Sequence, residues 1–153
     1  MKLYLIQHGE SVSGEVDPDR PLTDKGRKDI EILAELLREN GTEISKILHS
    51  GKTRAQQTAE ILATTLLQNG KIETINGIAP KDSIEKFTTR IPELDTNSVV
   101  VSHLPFLAKL VSSLITGNYN QTVVEFQPGT IVCIEQDADA AWKIQWMIRP
   151  DCF

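Results

Sequence analysis

The chain opens on an unbroken apolar run, Leu3-Tyr4-Leu5-Ile6, that stops at Gln7-His8-Gly9-Glu10. Four successive apolar residues predict a strand buried on both faces. Such a strand cannot continue through Gln-His-Gly-Glu without burying polar groups, so the chain emerges there. Gly9 then permits a tight turn or a close approach of backbone to ligand. A second run, Val99-Val100-Val101 between Ser98 and Ser102, ends in the same way at His103-Leu104-Pro105. A third covers residues 44–49 and runs into Ser50-Gly51-Lys52-Thr53-Arg54. All three predicted strands deliver polar residues to their carboxyl ends, where open α/β folds place their ligands.

Between the strands the apolar period becomes helical. Thr23 is expected to cap a helix over residues 24–39, with Ile30, Leu33, Ala34 and Leu37 at core spacing and Asn40-Gly41 ending it. A second helix over residues 51–68 buries Ala55, Ala59, Leu62 and Leu66 and stops at Asn69-Gly70; an edge strand over 71–75 follows. A shorter helix is expected over 83–91, carrying Ile84, Phe87 and Ile91. Phe106, Leu107, Leu110, Val111, Leu114 and Ile115 form the apolar face of another, which Gly117 ends. Strands over 122–126, 130–135 and 142–148 close the chain, the last two as a hairpin across 136–141. Residues 11–21, with Gly14, Pro18 and Pro21, are a polar loop long enough to be functional. This order predicts an α/β three-layer sandwich: a mostly parallel central sheet, helices on both faces, and antiparallel C-terminal strands. At 153 residues, with no repeat or linker, residues 1–153 form a single domain.

Charge narrows the partners. Sixteen basic residues against 21 acidic ones give a net charge of −5, which argues against nucleic acid. No apolar run approaches the roughly eighteen residues of a membrane span, and no basic n-region with a long apolar stretch marks a signal peptide. A cytoplasmic, monomeric protein without membrane contact is expected. Cys133 and Cys152 lack any pattern and read as reduced thiols. No histidine, cysteine or carboxylate spacing suggests a metal site.

His8, His103 and Arg54 thus converge on one sheet edge. Two imidazoles and a guanidinium suit phosphoryl transfer through a phosphohistidine, one histidine attacking while cations hold the phosphate oxygens. His49, next to Ser50, points to the opposite face of its strand from that neighbour and reads as a satisfied bystander.

The His8-Gly9 turn, the segment Ser50-x-x-x-Arg54-Ala55-x-Gln57-Thr58 and the late Ser102-His103 resemble the histidine phosphatase superfamily. The short length, Arg20-Pro21-Leu22-Thr23-x-x-Gly26 and Ser102-His103-Leu104-Pro105 are similar to its SixA-type phosphohistidine phosphatases. The resemblance implies a phosphoglycerate mutase-like fold and a phosphatase without cofactor or metal, acting on a phosphohistidine-bearing signalling or phosphotransfer protein. It makes His8 the nucleophile and has Arg54 and His103 stabilise the phosphoryl group. Gln7, Gly9 and Arg20 would contact the substrate, and Ser50 and Ser102 would fix side chains in the pocket. One position departs from the pattern: the family's first motif is Arg-His-Gly, and here it is Gln7-His8-Gly9. An amide donates hydrogen bonds without charge. By analogy with deleting an oxyanion-hole donor, the loss costs about 10²–10³ in rate. Two alternatives follow: a degenerate member that binds phosphate or a phosphoprotein without turnover, and a small-molecule phosphomonoesterase of the same superfamily. Glu10, Asp17, Asp19 and Asp82 are candidate general acids with no distinctive spacing.

Overall fold

The structure, a computed structural model, describes residues 1–69, 71–94 and 97–152. Its elements are β1 (Lys2–Gln7), α1 (Asp24–Glu39), β2 (Lys46–His49), α2 (Thr53–Leu66), β3 (Lys71–Thr74), α3 (Ile84–Thr88), β4 (Ser98–Ser102), α4 (Phe106–Thr116), β5 (Ile131–Gln136) and β6 (Trp142–Ile148). They build one six-stranded sheet in the order β3-β2-β4-β1-β5-β6. The first four strands of that order are parallel; β5 and β6 are antiparallel additions at the β1 edge. The expected three-layer α/β sandwich is therefore present.

Period-two alternation along the strands sorts the core into two layers. Leu3, Leu5, Val100 and Val132 pack with Phe106, Leu107, Leu110 and Val111 of α4 and Phe87 of α3. Tyr4, Ile6, Val99, Val101 and Ile131 face the other way, onto Ile30, Leu33 and Ala34 of α1 and Ala55, Ala59 and Leu62 of α2. Both faces of β1 and β4 are thus sealed, which is why those strands read as unbroken apolar runs. No helix among the described residues is long and apolar enough to cross a membrane.

Three expectations are corrected. Residues 122–126 pair with no strand. Val124 and Phe126 are buried in the α4-side core, so their alternation with polar neighbours comes from packing without a hydrogen-bonded ladder. The helix expected over 83–91 stops at Thr88, and a 3₁₀ turn over Ile91–Leu94 follows. Pro92 has no N–H to donate to the Thr88 carbonyl, so the α-helical ladder cannot run on through 91. The second helix is two residues shorter at each end than its pattern; Gly70 of its expected stop lies outside the described residues.

One contact sets how closely α1 approaches the end of β1. The Thr23 hydroxyl accepts from the Gly26 backbone N–H at 2.9 Å and caps the helix. A β-carbon on Gly26 would lie 2.2 Å from the Glu10 carbonyl oxygen. Only glycine lets the first turn of α1 seat against the segment that follows His8-Gly9. Gly26→Ala is expected to lower the unfolding free energy by about 3 kcal/mol in urea titration, the upper range for overpacking. A change below about 0.5 kcal/mol would show that the contact does not constrain the helix.

Candidate active site

β1 and β4 pair in parallel with Gln7 opposite Ser102, so the residues that leave each strand, His8 and His103, are neighbours. The His8 backbone N–H donates to the Ser102 carbonyl at 3.1 Å and carries the ladder one residue past the strands. Their imidazole rings stand 5.0 Å apart, tilted by 50°. Arg54, the second residue of α2, reaches over from the adjoining unit, its Nε–H donating to His8 Nε2 at 3.3 Å. The three residues expected to meet do meet.

The His8-Gly9 turn is held from several sides. His8 Nδ1 lies 2.7 Å from the Gly9 carbonyl oxygen, which can only accept. Nδ1 therefore carries the proton and Nε2 keeps its lone pair. The Gly9 N–H donates to Thr58 Oγ1 at 3.0 Å, and the Thr58 hydroxyl donates to the Arg54 carbonyl at 2.8 Å. Gln57 Oε1 accepts from the Leu22 N–H at 2.8 Å and ties the long loop to the same helix. On the other side, the Gly129 N–H is shared between the carbonyls of Gln7 and His8, at 3.0 Å each.

A cavity of about 430 Å³ opens over the two rings. Gln7, His8, Arg20, Arg54 and His103 line it, together with Glu10 and Ser11; Pro80, Leu104 and Pro128 supply apolar wall. Arg20 has the left-handed backbone φ of 48°. Its guanidinium donates to the Val12 carbonyl and to Ser11 Oγ, which hold it at the rim. A larger cavity of about 630 Å³, lined by Tyr4 and Trp146, contains no histidine or arginine.

Other site expectations fare differently. Gly9 and Ser50 act from behind the cavity. Ser50 Oγ lies 2.6 Å from His103 Nε2, so it fixes the ring. Ser102, expected among the pocket residues, is fully buried and donates to the Ile78 carbonyl at 2.5 Å. It adjoins His103 in sequence, and successive residues of an extended chain point to opposite faces, so it braces the α4 side. His8 is only 7% exposed, and His103 1%. Among the acid candidates, Glu10 reaches the cavity, but Oε2 accepts from the Thr23 hydroxyl at 2.7 Å. Asp82 accepts from the Ala79 N–H, and Asp17 from the Asp19 N–H. His49 accepts from the Gly51 N–H at 3.1 Å and stays out of the site. Ser11, Pro80 and Pro128 were not singled out from sequence; only Pro128-Gly129 carried a signal, as a turn dipeptide.

Burial dominates the electrostatics. It pulls His8 down to about 4, with the Arg54 and Arg20 charges adding to it against the Gly9 carbonyl. It pulls His103 down to about 3, helped by His8, Arg54, Lys52 and Arg20. Both rings are neutral at pH 7. Arg54 is also lowered, by burial and by Arg20, yet a guanidinium stays charged. Among the described residues, two buried polar atoms of the site have no partner, Gln7 Oε1 and His103 Nδ1. The arrangement offers an unprotonated ring nitrogen that accepts from Arg54, in a cavity also lined by Arg20, a fit for an oxyanion that carries an electrophilic centre.

Comparison with known proteins agrees. A model of the histidine phosphatase superfamily (branch 1) matches residues 3–78, the stretch holding His8, Gly9, Arg20, Ser50 and Arg54. Phosphohistidine phosphatase SixA of Escherichia coli is 26% identical over 155 aligned residues, covering 98% of this chain and 94% of that protein. The chain belongs to the histidine phosphatase superfamily, and its full-length likeness is to the SixA type. A solved structure of the protein histidine phosphatase SixA complexed with tungstate superposes with a TM-score of 0.87 at 25% identity, covering 99% of each chain. An uncharacterized protein of Picosynechococcus is 33% identical over 124 residues, 76% of this chain and 74% of its own. The chain is therefore a phosphatase of this superfamily.

The neutral rings predict a pH signature. Unfolded histidine takes up its proton near 6.5, before either buried ring does. The unfolded state then binds more protons, so stability is complete above pH 6.5 and falls as pH drops toward 4 and 3. Between pH 7.5 and 5.0 the loss expected in urea titration is about 2–4 kcal/mol, and replacing both histidines by asparagine removes most of that slope. A slope unchanged in the double variant would show that the rings titrate normally.

Proposed function

We propose that this phosphatase removes the phosphoryl group from a phosphohistidine carried by a protein, by way of a phosphohistidine at His8. The observation that carries the reading is the His8 ring itself. It is neutral, its proton is held on Nδ1 by the Gly9 carbonyl, and its Nε2 lone pair lies beside Arg54. In the first step Nε2 attacks phosphorus and the bond from phosphorus to the departing imidazole nitrogen breaks. That imidazole leaves protonated or takes a proton from solvent. In the second step water attacks phosphorus, the bond to His8 breaks, and the water's proton passes to the released phosphate or solvent. Arg54 and Arg20 carry the charge that the phosphoryl oxygens accumulate, and the His103 ring lies 5.0 Å from the His8 ring in the same cavity.

The choice of phosphoramidate over ester follows from the carboxylates. Alkoxide leaving groups require a positioned acid. Glu10 is the acid candidate in the cavity, and its carboxylate is engaged by Thr23. A departing imidazole makes less demand on such an acid. SixA, the full-length relative, is named for phosphohistidine, and the tungstate found in its structure is an oxyanion that mimics phosphate. Gln7 favours a second reading. Its neutral amide leaves two guanidiniums to meet an oxyanion in the cavity, and its buried Oε1 has no hydrogen-bond partner. That supports a member that binds phosphoprotein without turnover.

Phosphate release from phosphohistidine separates the two. The native protein is expected to turn it over faster than an alkyl phosphate. His8→Ala should abolish release, and Arg54→Ala should reduce it by about 10²–10³. Release that appears only in Gln7→Arg would establish the binding reading instead.

A further inference from the structure

The hydrogen bonds around the His8 ring form a closed circuit, and one member of it does not line the cavity. The Arg54 side chain donates to His8 Nε2 at 3.3 Å, while the Arg54 backbone carbonyl accepts from the Thr58 hydroxyl at 2.8 Å. Thr58 Oγ1 accepts from the Gly9 N–H at 3.0 Å, and the Gly9 carbonyl oxygen lies 2.7 Å from His8 Nδ1. From one ring nitrogen the bonds thus run through Arg54, Thr58 and Gly9 back to the other. His8 and Arg54 line the cavity; Thr58 is fully buried on α2.

A hydroxyl has one proton. Thr58 donates it to the Arg54 carbonyl, so it presents a lone pair to Gly9. A threonine or serine bonded to the carbonyl four residues back is by itself an ordinary feature of helices. Thr64, Thr88, Ser112 and Thr116 all make that bond. Thr58 differs in also accepting from a backbone N–H 49 residues away, at the turn beside the attacking ring. Gly9 is buried, so loss of the hydroxyl leaves its N–H without an acceptor and the turn shifts to find one. The Gly9 carbonyl moves with the turn, and its hold on the Nδ1 proton loosens.

We propose that Thr58 is a positioning residue for phosphoryl transfer. Through Gly9 it keeps the ring proton on Nδ1 and the Nε2 lone pair in place beside Arg54. It touches neither substrate nor reacting atoms, and the proposal rests on the reading of His8 as nucleophile. Misplacing an attacking atom by about 1 Å costs about 10² in rate. Arg20 is anchored on Val12 and Ser11, away from Thr58, so substrate affinity should change far less than the rate of the chemical step.

The test compares Thr58→Val, Thr58→Ser and Thr64→Val with the native protein. Proton–nitrogen NMR of the histidine rings at pH 7.5 reads the tautomer, with the His8 signals assigned by their loss in His8→Asn. Turnover of phosphohistidine is measured alongside. The native protein and Thr58→Ser, which keeps the hydroxyl, should carry the proton on Nδ1. Thr58→Val should show a population protonated on Nε2, with kcat lower by about 10² and KM within about threefold of native. Thr64→Val loses the same local bond on the exposed side of α2 and should keep the native tautomer and rate. A native ring protonated on Nε2 would overturn the proposal outright. So would Thr58→Val with either the native tautomer or the native kcat, Thr58→Ser behaving like Thr58→Val, or an equal loss in Thr64→Val. Should Thr58→Val fail to fold, Thr58→Ala gives the same reading with a smaller side chain. No turnover by the native protein would instead overturn the phosphohistidine reading, and the tautomer in Thr58→Val would then decide the role of Thr58 by itself.

Discussion

The parallel pairing of β1 with β4 is the constraint on which the site depends. It sets Gln7 opposite Ser102, and one residue further on it leaves two imidazoles side by side at the end of a sheet sealed on both faces. A slip of one residue in that register would send His8 to the α4 side and Gln7 to the α1 side. The two valine- and leucine-rich strands resist such a slip because both their faces are buried against different helices. The hydrophobic core therefore does more than stabilise: it fixes the distance between two residues 95 positions apart.

Burial at that point has a cost and a use. An unsatisfied buried polar group costs about 1–3 kcal/mol, and the site holds two, Gln7 Oε1 and His103 Nδ1. Two imidazoles kept from protonating add a further penalty at acid pH. The use is chemical. A protonated histidine has no free ring lone pair; a neutral ring whose one nitrogen donates to a carbonyl has its lone pair on the other. The guanidiniums of Arg20 and Arg54 repel each other, and an anion between them relieves that. The same groups that cost stability favour an anion.

Much of this was legible before any coordinates. The apolar runs ending in His8 and His103 announced buried strands and the end at which a site would form, because burial on both faces leaves no period to misread. The helices capped by Thr23 and closed by Gly117 were legible for the same local reasons. Residues 122–126 misled because alternation records which side chains are buried, and says nothing of whether the backbone has a partner. Ser102 misled because adjacency to His103 in sequence means opposite faces in space. That Pro80 and Pro128 would wall the cavity left no trace, since their place depends on how distant loops pack, which no local pattern encodes.

The account's central claim is covalent: phosphorus is attached, for part of each turnover, to His8 Nε2. Rapid alkaline quenching of the native protein with phosphohistidine substrate, followed by peptide mass spectrometry, tests it directly. The account predicts one added phosphoryl group on the peptide bearing His8, absent in His8→Ala. A label on His103 or Ser50, or turnover with no protein-bound phosphoryl group at any time, would contradict it.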